Sequence, residues 1–337
     1  MSKYFISALK NLIPLGLGVF LIYYSLSTIT VDQRALIWSY IKQAHPLPIL
    51  ISIIFGVLSH ISRAYRWKFL LTPMGYHPNF LNLTSAVMVN YLSNLGIPRS
   101  GDVIRVTVIS TYEKIPFSKG LGTVISERVV DLVMMMLLVF SAIYIGGDWV
   151  HEQIGGSKVL LVSLGIFIGL VVTIMIFPFM INIKRFQYLA RIKYFFLNIF
   201  QGIMSIRMIP NTLSFWAHTV FIWFMYILMF WVIQFSLPDA ALLSPQVALI
   251  GFVAGGLTIV VTNGGIGLYP IAVAAVLSHY GMSYEMALAY GWIAWSAQTL
   301  MIILFGGISF VLTHNKLGRF IVKSLTIPKL ATFSLDL

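Results

Sequence analysis

The sequence has no cysteine. Disulfide and thiol chemistry are therefore excluded, and redox compartment leaves no mark on the chain. Charge is nearly as scarce: Asp, Glu, Lys and Arg make up 9% of the 337 residues, against 59% hydrophobic residues. A soluble domain carries about a quarter charged residues, so that class is excluded. No His/Asp/Glu cluster has metal-ligand spacing, and no nucleophile–base pair, P-loop or dinucleotide loop occurs. No metal site, cofactor or catalytic residue is expected. No soluble domain, linker or low-complexity tract is visible either.

What is present is apolar sequence in long runs, with mean hydropathy +0.91. A spanning helix needs about 20 apolar residues. Runs of that kind lie at Leu12–Leu26, Leu47–Ile61, Leu121–Ile145, Val159–Ile183, Phe215–Phe235 and Ala287–Leu312. The first follows Lys3 and Lys10 and lacks a small-residue cleavage site, so it reads as a retained helix and not a signal peptide. Two further apolar regions are broken: Leu81–Ile109 by the stretch Asn94–Val106, and Val247–Leu277 by Thr262–Gly267. The expected fold is an all-α, polytopic membrane helix bundle of about six full spans plus two broken hairpins, re-entrant or short-span. It forms one domain over 1–337, with halves at about 1–145 and 158–312.

The formal net charge of +12 does not point to nucleic acid. Its lysines and arginines collect in connections (Arg63, Arg66, Lys68; Lys114, Lys119; Lys184, Arg185, Arg191, Lys193), while Asp148, Glu152, Asp239 and Glu285 fall in others. The positive-inside rule then places both termini in the cytoplasm, in a cell inner membrane. Parity makes the first broken region begin and end inside and the second begin and end outside. Hairpins from opposite faces are the pattern of an inverted-repeat transporter. Irregular backbone at membrane depth survives only where protein or water satisfies it, so both breaks are expected to line one polar cavity. Lys184–Arg207 interleaves cations with Phe186, Tyr188, Leu189 and Ile192, which reads as an amphipathic helix on the inner surface.

Three constellations carry chemistry. In the first, Pro98 and Gly101 break the backbone between Arg99, Asp102 and Arg105, and a helix starting near Asp102 places Asp102 and Arg105 on one face. In the second, Ser126-Glu127-Arg128-Val129-Val130-Asp131 puts two carboxylates four apart at the start of a span. Charges inside spans are expensive and pair across a cavity. Arg99, Arg105, Arg63 and Arg66 are the partners to expect; alternatively the group sits at headgroup level with Asp131 on Arg128. Arg63, Arg66 and Trp67 also read as an interface anchor. The third is Asn263-Gly264-Gly265-Ile266-Gly267, where exposed backbone N–H groups and a half-helix could face an anion. His218 reads as bonded to a neighbouring helix, and Met134–Met136 as packing.

Residues 97–105, with their proline, arginine, glycine, acid and second arginine, resemble a signature of the lysylphosphatidylglycerol synthase transmembrane region family. Glu127, Arg128 and Asp131 resemble its downstream E-R-x-x-D pattern, and Arg63, Arg66, Trp67 and Gly75 its arginine-rich segment. Gly264-Gly265-Ile266-Gly267 is similar to its late G-G-x-G motif. Pro270 stands where many members carry glutamate. Larger members add an aminoacyl-transferase domain; the resemblance implies a stand-alone, flippase-like member with the lipid-translocating half alone.

The function expected is lipid translocation: an anionic or aminoacylated phospholipid, or a polyprenyl phosphate, bound by Arg99, Arg105, Arg63, Arg66, Asn263, Gly264 and Gly265. Asp102, Glu127, Arg128 and Asp131 would form the buried charge network or carry coupling. A membrane glycosyltransferase or other lipid-modifying enzyme is the alternative, with Asp102 and Glu127 as acid/base groups, as is a non-catalytic partner subunit. The expected partners are the lipid substrate, with a second copy or a synthase possible.

Overall fold

The computed structural model describes residues 30–153, 165, 190–238 and 243–325. The expected spans Leu12–Leu26 and Val159–Ile183 lie outside these residues, residue 165 apart. Among the described residues every regular element is helical: α1 (Val31–Gln43), α2 (Pro46–Leu71), α3 (Phe80–Gly96), α4 (Gly101–Glu113), α5 (Phe117–Gln153), α6 (Ala190–Met204), α7 (Thr212–Trp231), α8 (Pro245–Val261), α9 (Leu268–His279) and α10 (Tyr284–Leu325). Four stretches are long and apolar enough to cross a membrane: Pro46–Met74, Phe117–Gly147, Thr212–Ser236 and Tyr284–Thr313. Each contains one of the expected spans. The protein is a polytopic helical membrane bundle.

Local chemistry sets the helix ends. Pro46 and Pro48 open α2, where a missing N–H costs nothing, and Gly75, at φ 83°, closes the turn after it. Asn79 caps α3 through Leu81 N–H at 2.8 Å, and Ser244 caps α8 ahead of Pro245.

Helix α7 runs antiparallel to α2. His45 N–H donates to Ser236 O at 2.7 Å, Ser52 Oγ to Met229 O at 2.8 Å, and Ser62 Oγ meets His218 Nδ1 at 2.8 Å. At the Pro46 end of the bundle Trp149 stacks on His279 at 4.0 Å, and Gln33 Nε2 donates to Glu285 at 2.8 Å. At the Leu71 end the Tyr112 hydroxyl donates to Thr313 O.

Both broken regions are helix–turn–helix pairs, and they point at each other. The α3–α4 hairpin opens toward the Leu71 end and the α8–α9 hairpin toward the Pro46 end. Their tips meet inside: a Cβ on Gly264 would lie 3.5 Å from Leu95 Cδ2, and Trp295 Nε1 donates to Gly264 O at 2.8 Å. Arms of 17 and 13 residues, and of 17 and 12, are about 26, 20, 26 and 18 Å long, each short of the ~30 Å hydrocarbon core. The first turn closes because Gly101 lets two backbones touch: a Cβ there would sit 2.1 Å from Asn90 O. Its N–H donates to Asn94 Oδ1 at 2.8 Å. The second turn needs positive φ at Gly264, Gly265 and Gly267, at 64°, 78° and 74°.

Three sequence expectations change. The connection between the expected spans Leu12–Leu26 and Leu47–Ile61 contains α1, started by a capping box in which the Thr30 hydroxyl and the Gln33 amide oxygen each accept the other's backbone N–H. The loop expected after Ile145 is helical as far as Gln153, with a kink at Gly147 (φ 62°). Of the surface helix expected over Lys184–Arg207, residues 184–189 lie outside the described ones. The rest, α6, exposes Tyr194, Phe195 and Leu197 but is not merely laid on the bundle. A Cβ on Gly122 would lie 2.2 Å from Ile199 O, so α6 crosses α5 backbone to backbone at Gly122 and Gly202.

Candidate functional site: a buried arginine–carboxylate cluster

Helix α5 supplies the acids. Glu127 and Asp131, one turn apart, turn the same face toward α2 and are 1% and 9% exposed. Helix α2 answers with Arg63 and Arg66, three apart. Arg63 Nη1 binds Asp131 Oδ2 at 2.5 Å. Arg66 bridges both acids, with Nη2 on Asp131 Oδ1 at 2.7 Å and Nε on Glu127 Oε1 at 3.4 Å. The third arginine comes from the first hairpin: Arg105 Nη2 meets Glu127 Oε2 at 2.5 Å, and neither side chain is more than 1% exposed. The Arg105 guanidinium also lies 3.9 Å over the Trp67 ring, a desolvated cation–π contact. Trp67 Nε1 in turn donates to Thr123 Oγ1 at 2.9 Å, fixing the indole.

A second pair sits nearer the hairpin tip. Arg128 holds Asp102 in a fork, Nε to Oδ2 at 2.9 Å and Nη2 to Oδ1 at 2.6 Å, with the side chains 42% and 29% exposed. The hairpin is thus pinned to α5 twice, by Asp102–Arg128 and Arg105–Glu127. The cluster lies deep. Arg63 and Arg105 are each 8 residues, about 12 Å, from the Leu71 end of their helices.

Several sequence assignments are corrected here. Arg63, Arg66 and Trp67 are not an interface anchor; all three are buried, because their face of α2 packs on α5. Arg128 does not pair with Asp131; it takes Asp102, since residues three and four before Asp131 face different neighbours. Arg99 does not join the carboxylates. It is exposed in the turn between α3 and α4 with φ 62° and forms no ion pair among the described residues. Asn263, Gly264 and Gly265 form the turn of the second hairpin.

Sequence reading missed an aromatic extension of the cluster. Arg63 Nη2 reaches the Tyr226 hydroxyl at 3.4 Å, Tyr226 meets the Tyr91 hydroxyl at 3.3 Å, and His60 lies 4.1 Å from the Tyr91 ring. In apolar spans a tyrosine reads as packing, and only its proximity to Arg63 gives it away. An apolar groove of about 560 Å³ lies elsewhere, lined by Ile37, Trp38, Trp292 and Leu300 on α1 and α10. Its lining is largely apolar, whereas the convergent polar chemistry is at the cluster.

The sequence profile of the Lysylphosphatidylglycerol synthase TM region matches residues 11–306. The chain belongs to this family. Two relatives match over shorter stretches. Glycosyltransferase AglD of Haloferax volcanii is 30% identical over 119 residues, 35% of this chain and 19% of that protein. UPF0104 membrane protein MJ1595 of Methanocaldococcus jannaschii is 28% identical over 95 residues, 27% of this chain and 28% of that protein. The matches thus cover about a fifth and about a quarter of those relatives' lengths. Within the lysylphosphatidylglycerol synthase transmembrane region family the resemblance placed glutamate where this chain has Pro270. Here Pro270 is buried against α10: a Cβ on Gly291 would lie 2.6 Å from its Cα. The second hairpin therefore brings no acid to the tips at that position.

Proposed function

We propose that the protein is a lipid translocase, carrying an anionic or aminoacylated phospholipid or a polyprenyl phosphate across the cytoplasmic membrane, with both termini in the cytoplasm. One observation carries the reading: two short hairpins meet tip to tip inside the bundle beside a buried arginine–carboxylate cluster. Charged groups at this depth are costly and belong to a pathway for polar cargo. Arg99, exposed at the first tip, collects the phosphate; Arg105, Arg63 and Arg66 draw it inward, since a guanidinium fork suits phosphate oxygens. The glycine turn at Asn263, Gly264 and Gly265 lines the opposing side. Alternating exposure of the two hairpins passes the headgroup across. The two halves, about 1–145 and 158–312, each contribute one hairpin.

A second reading, a membrane glycosyltransferase or other lipid-modifying enzyme, draws on the name of the AglD relative. It needs Asp102 or Glu127 to move protons. Asp102 is forked by Arg128 and Glu127 is held between Arg66 and Arg105, so both carboxylates are already engaged by arginines and neither is presented to a substrate.

The test is headgroup movement in proteoliposomes containing labelled anionic phospholipids, aminoacylated phospholipids or polyprenyl phosphates, with wild type, Arg99→Ala and Arg105→Gln. Movement of one lipid class, reduced in both variants, supports the translocase. Folded wild type that moves none of them, or that alters a lipid covalently, overturns it.

A further inference from the structure

The cluster does not balance. Arg63, Arg66 and Arg105 face Glu127 and Asp131, so three buried guanidinium groups share two carboxylates. Arginine does not give up its proton in a protein, so the cluster keeps a charge of +1 with both acids ionised, and more if either is protonated. An isolated charge in a low-dielectric interior is held only when compensated.

Among the described residues no further carboxylate forms an ion pair with these three arginines. The sequence contains ten Asp and Glu. Asp102 is bound by Arg128, Glu113 by Asn82 and Glu285 by Gln33. Asp32 is exposed on α1. Asp148 and Glu152 lie 17 and 21 residues past Asp131, beyond the kink at Gly147. Asp239 follows the far end of α7, and Asp336 belongs to the last twelve residues. The two long stretches outside the described residues, 1–29 and 154–189, contain no Asp or Glu at all.

Unused hydrogen-bond donors point the same way. Among the described residues, Arg63 Nε, Arg105 Nε and Nη1, and both the Nδ2 and Oδ1 atoms of Asn90 are buried without a partner. Asn90 backs directly onto Gly101, one turn before Arg105 on the same hairpin. A donor left dry at this depth is costly, and the unpaired guanidinium N–H groups of Arg63 and Arg105 suit a compact oxyanion. Trp67 covers one face of Arg105 but offers its in-plane N–H groups no acceptor.

We propose that the cluster is a binding site for one monoanionic phosphate group, with Arg105 and Arg63 as its donors and the excess guanidinium charge as its counter-charge. The source of the group is a phosphodiester lipid headgroup or free phosphate; the chemistry is shared. The inference deepens the translocase reading, on which it rests for the identity of the cargo. It adds a stoichiometry of one and a rule: removing a single arginine balances the cluster at two and two and abolishes the need for the anion.

The experiment is thermal unfolding of the purified full chain in a neutral maltoside detergent and gluconate buffer. The probes are dihexanoyl phosphatidylglycerol, dihexanoylglycerol with the same chains and no phosphate, sodium phosphate, and sodium chloride. Wild type is expected to gain roughly 5 °C in Tm at saturating phosphatidylglycerol and nothing from dihexanoylglycerol. An equal gain from sodium phosphate assigns the site to the phosphate group alone; a gain from the lipid only assigns it to the headgroup. Arg105→Gln and, separately, Arg63→Gln are expected to lose the response, Arg105→Lys to keep a weaker one, and the surface control Lys114→Gln to keep it whole. Wild type that ignores both phosphate probes, chloride acting as well as phosphate, or Arg105→Gln and Arg63→Gln responding like wild type each overturns the proposal. Anion binding without lipid movement removes the translocase and leaves this site standing. Lipid movement with no phosphate response removes this site alone.

Discussion

Arg105 and Glu127 bind each other at 2.5 Å with both side chains out of reach of solvent, one on a hairpin and the other on a spanning helix. The pair is unequal in its surroundings. Glu127 serves two arginines, Arg66 and Arg105, while Arg105 has one carboxylate. Glu127→Gln therefore strands Arg105 and leaves Arg66 on Asp131 alone, whereas Arg105→Gln leaves Glu127 still paired with Arg66. Breaking a buried pair by removing one partner costs about 3–5 kcal/mol. Glu127→Gln is expected at or above that range, and Arg105→Gln at about 1–2 kcal/mol, the size of one lost charged hydrogen bond. Denaturant unfolding in detergent measures both, and equal losses would mean that the two partners are equally dispensable.

The turn of the first hairpin makes its own prediction. Gly101 touches the α3 backbone, where a Cβ would stand 2.1 Å from Asn90 O, whereas a Cβ on Gly96 meets nothing within 4 Å. Gly101→Ala is expected to push α4 away from α3, stretch Arg105 off Glu127 and cost at least 1–3 kcal/mol by overpacking, about the usual range. Gly96→Ala, in the last residue of α3, is expected within about 0.5 kcal/mol of wild type. Thermal stability of the pair separates them, and headgroup movement is expected to fall with Gly101→Ala only.

Much of this architecture is visible in the sequence because it rests on local physics. The four spans among the described residues follow from apolar length, and both hairpin turns from residues that stop a helix: Pro98 and Gly101 in one, Gly264, Gly265 and Gly267 in the other. The spacing of Glu127 and Asp131 says that they share a face. It does not say which arginine each one meets. That depends on how α2 crosses α5, a crossing set by contacts such as Trp67 on Thr123. Arg63 and Arg66 consequently read as an interface anchor though they are buried, and Arg99 reads as a partner of the acids though it is exposed and forms no ion pair among the described residues. Tyr91 and Tyr226 carry no periodic signal to separate them from packing aromatics. Helix α1 could have been found: Thr30 and Gln33 have capping-box spacing, but the polar stretch after them looks like a loop.

Arg99 and Lys114 test whether backbone strain at the hairpin serves function. They are the non-glycine residues with positive φ among the described ones, at 62° and 55°. A left-handed conformation costs an L side chain about 1–2 kcal/mol, which glycine avoids at some cost in unfolded-state entropy. Lys114 ends α4, at the mouth of the hairpin, and Arg99 sits at its tip. Replacing either by glycine is expected to raise stability by up to about 1 kcal/mol. Lys114→Gly is expected to leave lipid movement unchanged. Arg99→Gly is expected to lower it several-fold while the protein becomes more stable, the opposite signs that mark a residue kept for its charge at a strained position. Unfolding and proteoliposome assays on the same preparations decide it: full movement by Arg99→Gly would remove Arg99 from the headgroup path and leave its conformation without a functional account.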